Sequence, residues 1–148
     1  MEYAEKVAWL NRYRQFVQQQ QLLELELQRI ESETRKINGI ITGTKIHSVH
    51  TAQCNRIPLL VELMMEYEVQ LSTIISKMIR CQDEIQRAIM KVEPMSLQMI
   101  LISRYIVGLT SEQTAQRCNI TPRWERELHR RAVLLLSPEH YIEYCAIR

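Results

Sequence analysis

The sequence predicts an all-α protein: a long antiparallel helical hairpin, coiled-coil-like, followed by a compact helix-turn-helix domain. Three observations point there. The 148 residues include only three glycines, four prolines and one phenylalanine, and Gln, Glu, Leu, Ile and Arg fill the chain instead, a composition that favours helix. Two long apolar series step alternately by four and three residues, the period of a helical seam. After Pro94 the elements shorten, and capping residues recur at close spacing.

The first seam runs Trp9, Tyr13, Phe16, Gln20, Leu23, Leu27, Ile30, Thr34, Ile37. A helix over 9–37 is about 43 Å long. Asn38-Gly39 supplies a C-terminal stop signal. Residues 38–56 have no clean period and contain Gly39, Gly43 and several Thr and Ser, which predicts a loop. Pro58 suits the first turn of the next helix, where its missing N–H is harmless.

The second seam is apolar throughout: Leu60, Met64, Tyr67, Leu71, Ile74, Met78, Cys81, Ile85, Ala88, Val92. Two seams joined by a loop predict an antiparallel hairpin in which each helix buries the other's stripe. Val61, Ile75 and Ile89 widen the second stripe and call for a further partner, either a second protomer or the C-terminal domain. Gln20 and Thr34 are polar within the first seam; such residues either set register or lie where the partner helix has ended. The expected division is 1–93, a dimerisation arm, and 94–148, the compact domain.

Glu93-Pro94 breaks the second helix. Ser96 caps a short helix to about Val107, and Gly108 ends it. Thr110 or Ser111 opens a second short helix to about Cys118. Asn119 fits a left-handed turn position, Thr121 caps the next helix, and Pro122 occupies its first turn. That helix runs to about Leu136. Ser137-Pro138-Glu139 repeats the cap-proline-acid start, which predicts a final helix over 138–146.

On a wheel of the 122–136 helix, Trp124, Leu128, Ala132 and Leu135 fall within about 80° and form the expected packing face. Arg123, Arg126 and Arg130 gather within about 60° on the other side, near Pro122, His129 and Val133. Arg123 and Arg126 occupy the first two turns, the part of a recognition helix that approaches base edges in the major groove. An arginine fork can bond guanine bidentately or hold a phosphate. Arg123, Arg126 and Arg130 on one face are thus candidates for contact with DNA. The alternative is a basic solvated face, since Glu125 and Glu127 reduce the helix's charge from +4 to +2.

The stretch LISRYIVGLTSEQTAQRCNITPRWERELHRRAVLLL resembles region 4 of sigma-70-type factors. It is more similar to the sigma-region-4-like regulators of phages and prophages of Gram-positive bacteria, which include late-gene transcriptional activators. The resemblance is carried by Arg104-Tyr105-Ile106, Gly108-Leu109-Thr110, Ala115, and Leu128-His129 with Ala132. Upstream, LNRYR at 10–14, two long helices and the glycine-containing loop between them fit the same arrangement. The family pattern has an aromatic where Ser111 stands, an isoleucine at Thr114 and a branched apolar residue at Glu125. The resemblance implies a DNA-binding transcription regulator, with the 122–136 helix in the major groove, Arg123, Arg126 and Arg130 on bases or phosphates, Thr121 and the free N–H groups at the helix start on a phosphate, and RNA polymerase as a further partner. A single small reading domain makes few contacts, so a homodimer through the long helices, on a palindromic site, is expected.

A rival reading is a protein-binding module that docks on RNA polymerase or inhibits a host protein through its helical surfaces. A second is a metal site at His47, His50 and Cys54, although no fourth ligand is evident nearby. No phosphate-binding glycine loop, nucleophile elbow or H-E-x-x-H appears, so no enzyme and no cofactor are expected. The four cysteines, 54, 81, 118 and 145, form no C-x-x-C pair and read as reduced thiols of a cytoplasmic protein; the resemblance implies a bacterial host cell. Neither a secretory signal nor a membrane span is present in the pattern.

Overall fold

A computed structural model describes the backbone of residues 2–43 and 47–138, and the side chains of 2–39 and 56–138. Among the described residues five α-helices follow in order: α1 (Tyr3–Gly43), α2 (His47–Ile89), α3 (Met95–Leu101), α4 (Ser111–Arg117) and α5 (Pro122–Leu135). A π-helical turn, Ile102–Val107, continues α3 directly. Among the described residues there is no strand. The all-α class is as expected; the extent of the long helices is not. The expected loop over 38–56 is helical on both sides of 44–46. The stretch 47–57 contains neither glycine nor proline, so nothing in it stops a helix. Gly39 lies within α1, at a cost of about 1 kcal/mol relative to alanine. Pro58 lies inside α2, not in its first turn, and deletes one internal hydrogen bond there. Of the expected 138–146 helix only Pro138 is described, and it is not helical; 139–146 lie outside the described residues.

The chain forms two compact units, 17–77 and the combination of 1–16 with 78–148. The contacts therefore do not divide the chain at 93: both ends of the hairpin group with the C-terminal helices. Within 17–77, α1 and α2 are antiparallel, with Arg56 Nη2 of α2 at 3.9 Å from Glu33 Oε2 of α1. Every described position of both predicted seams is buried or half-buried. The two polar seam residues are satisfied locally: Gln20 Nε2 donates to Glu24 Oε1 at 2.9 Å, and Thr34 Oγ1 donates to the Ile30 carbonyl at 2.9 Å.

The other unit holds the main core. Trp9 and Leu10 of α1 join Cys81, Ile85, Ala88 and Ile89 of α2, and Val92 of the turn that follows it. Leu97 and Leu101 of α3, Tyr105 of the π-helical turn, and Ala132 and Val133 of α5 with Leu136 just beyond it complete the cluster. Ile89, one of the residues widening the second stripe, is fully buried here, so the C-terminal helices cover that end of it. Arg12 Nη2 pairs with Glu84 Oε2 at 3.0 Å and again sets α1 antiparallel to α2.

Candidate nucleic-acid interface

The turn between α4 and α5 is built by capping chemistry. Thr110 accepts the Gln113 N–H and Gln113 returns a side-chain bond to the Thr110 N–H, a complete capping box. At the far end of α4, Asn119 takes φ 53°, the left-handed region that asparagine tolerates. The Ile120 N–H donates to the Ala115 carbonyl at 2.9 Å and the Asn119 N–H to the Gln116 carbonyl at 3.2 Å. This pair is the Schellman pattern that satisfies the last carbonyls of a helix. Thr121 Oγ1 then accepts the Trp124 N–H at 3.2 Å, with Pro122 in the first turn of α5. Upstream, Gly108 at φ 86° ends the π-helical turn. The helix α3 starts from Pro94, without a side-chain cap; Ser96 lies inside it rather than before it.

The facing of α5 differs from the wheel reading. The buried residues are Glu125, His129, Ala132 and Val133, with Leu136 just past the end. Trp124 is 45% exposed and Leu135 57%. The packing face is rotated by about 80° from the expected one. The cause is a set of polar partners beneath α5. Arg104 Nη1 donates to Glu125 Oε1 at 3.2 Å, and the Ser111 hydroxyl donates to Glu125 Oε2 at 2.5 Å. With both oxygens engaged, a carboxylate can be fully buried, which is otherwise costly. Ser111 and Glu125, two of the three departures from the pattern that the sequence resembles, are thus in contact with each other. The third departure, Thr114, is also fully buried, and its hydroxyl has no hydrogen-bond partner among the described residues.

His129 is the second polar group turned inward. Tyr105 Oη lies 2.8 Å from its Nε2 and Tyr3 Oη 3.4 Å from its Nδ1, while the Tyr105 ring stacks at 5.6 Å between centroids. A neutral imidazole has one N–H and one lone pair, so one phenol donates and the other accepts. Burial, aided by the Arg104 charge, lowers the His129 pKa to about 4. Burial likewise pushes the Tyr105 phenol up to about 12, with Arg104 acting in the opposite direction. The Arg104-Tyr105 doublet therefore clasps α5 at two points one turn apart, Glu125 and His129. Neighbouring polar residues facing an i,i+4 polar pair were the available sequence signal. At the far end of α5, Lys6 Nζ donates to the Leu134 carbonyl at 2.7 Å, where a cation complements the helix dipole.

Of the sequence-derived site residues, Thr121, Arg123, Arg126 and Arg130 are all exposed. The three arginines keep a common strip of about 60° along α5. Among the described residues none of the three enters an ion pair, whereas the fourth arginine, Arg131, bonds Glu127 at 3.2 Å and lies over the Trp124 ring at 5.5 Å. The His47, His50 and Cys54 side chains lie outside the described residues; among those described, no group of three metal-ligating side chains occurs. No described helix is long and apolar enough to cross a membrane. No family's sequence pattern, no curated protein and no solved structure matches this chain.

Proposed function

We propose that this chain is a sequence-specific DNA-binding transcription regulator, of the phage sigma-region-4-like kind that its C-terminal stretch resembles. In this reading α4 and α5 are a helix-turn-helix, and α5 enters the major groove of promoter or operator DNA. The observation that carries it is the strip of Arg123, Arg126 and Arg130 on an exposed face of α5, in no ion pair among the described residues, next to the capped turn at 118–121. Guanidinium groups at that place can bond guanine edges or phosphates. Thr121 and the start of α5 supply a phosphate-holding end. The protein acts in the cytoplasm of a bacterial host, uses no cofactor, and is not an enzyme.

Arg126→Ala combined with Arg130→Ala should weaken binding to the cognate DNA by about 30-fold or more, at 1–3 kcal/mol per contact. Helical circular dichroism should not change, because both side chains are exposed. Full retention of binding by the double variant contradicts the assignment of α5.

The dimer belongs to the same proposal. Within 17–77, Leu22, Leu25, Leu59, Val61, Met65 and Val69 are exposed. A groove of about 440 Å³ is lined by Leu22, Leu23, Val69 and Ile74 with Gln19, Gln70 and Thr73. Such a surface also supports the second reading, a helical module that binds RNA polymerase or another protein. Light scattering at micromolar concentration separates a homodimer from a monomer. The salt dependence of binding separates DNA from an apolar partner, because phosphate contacts weaken steeply with salt.

A further inference from the structure

We infer that Trp124 reads a base: its exposed indole edge takes the 5-methyl group of a thymine in the major groove. The inference rests on the DNA-binding reading of α5 and adds a residue that the basic strip does not include. Trp124 stands in the first turn of α5, three residues after the Thr121 cap, in the part of such a helix that approaches base edges. It is 45% exposed although it is one of the largest apolar side chains in the chain, and it takes no part in the core cluster.

Its orientation is held from one side. The Arg131 guanidinium carbon lies 5.5 Å from the ring centroid, and Arg131 also bonds Glu127 Oε1 at 3.2 Å. One face of the indole is thereby covered by a neighbour on its own helix, which leaves the edge and the other face to a partner. On the wheel, Trp124 and the centre of the arginine strip lie about 65° to either side of the direction pointing away from the core. A helix seated in a groove would therefore present both to the DNA. The chemistries differ. The arginines suit guanine and phosphate, while indole has a single donor and is otherwise apolar. The one apolar mark on base edges in the major groove is the thymine methyl. Trp124 would thus specify a T·A pair beside the positions read by arginine.

The test uses DNA sites recovered by the full-length wild-type protein from a random pool. Each thymine is replaced singly by deoxyuridine, which lacks only the 5-methyl, and affinities are measured by fluorescence anisotropy for wild type, Trp124→Ala and Trp124→Phe. At one thymine the replacement should weaken wild-type binding by about fourfold, the value of one buried methyl. Trp124→Ala should bind the unmodified site more weakly and show no further loss with deoxyuridine there, whereas Trp124→Phe should keep the sensitivity. If Trp124→Ala binds the unmodified site as tightly as wild type, or shows the same deoxyuridine loss, the inference is overturned and Trp124 belongs to a protein-facing surface. If the wild-type protein recovers no DNA, the DNA-binding reading itself fails, and that is seen before any variant is made.

Discussion

Between residues 17 and 77 only Ile30 and Ile37 are buried among the described side chains. Where α3, α4 and α5 meet, a carboxylate and an imidazole are buried beside the aliphatic core. The first region is held by two half-buried apolar seams and by exposed ion pairs such as Arg35 with Glu31. The second is held by specific bonds between residues 14 to 24 positions apart: Ser111 and Arg104 to Glu125, and Tyr105 to His129. A seam tolerates exchange of one apolar residue for another of similar size. A buried polar clasp does not tolerate loss of one partner. The region carrying the proposed DNA contacts is thus the one with a uniquely specified orientation, as a reading helix requires.

The contrast is broken most strongly at Glu125. Glu125→Ala should destabilise the protein by about 3–5 kcal/mol, because it strands Arg104 and the Ser111 hydroxyl beneath α5. Replacing the pair together, Arg104→Met with Glu125→Leu, should recover most of that loss; urea unfolding of both variants checks this.

The next effect is in pH. The unfolded chain binds a proton at His129 near pH 6.5, whereas the folded protein binds it only near pH 4. Stability contributed by neutral His129 is therefore complete above about 6.5, falls as pH drops through that window, and is lost below about 4. The loss is on the order of 3 kcal/mol. Unfolding midpoints from pH 7 to 4 should show this slope, and His129→Gln should flatten it.

A smaller change sharpens the same region in the other direction. Thr114→Val removes a buried hydroxyl without a partner while keeping the shape, and should add about 1 kcal/mol of stability in thermal melts. The smallest effect is expected in 17–77: Arg35→Ala should alter stability by no more than about 0.5 kcal/mol, as for other exposed i,i+4 pairs.

The two seams were legible because the partner of each is another apolar stripe, and polarity alone then identifies the inward face. The caps at Thr110, Asn119, Thr121 and Pro122 were legible because each acts within a few residues of itself. The facing of α5 was not. A wheel sorted by polarity places Glu125 and His129 outside and Trp124 inside, and their true positions depend on partners in other elements, Arg104, Ser111, Tyr105 and Tyr3. Arg123, Arg126 and Arg130 nevertheless remain exposed, since a rotation of about 80° moves their strip from the outer face toward its flank without burying it. The helical extent of 40–43 and 47–57 was hidden because Gly39, Gly43 and Pro58 read as stops, whereas Gly39 costs α1 only about 1 kcal/mol and Pro58 costs α2 one hydrogen bond, and helices of 41 and 43 residues absorb such losses.

The most direct measurement of the central proposal is selection of bound sequences from a random double-stranded DNA pool by the wild-type protein. Enrichment of one palindromic motif, lost in the Arg126→Ala, Arg130→Ala variant, is the result predicted for a dimer reading the major groove through α5. A pool that remains unenriched after repeated rounds at low salt would contradict it, and would leave the exposed apolar helices of 17–77 as the working surface.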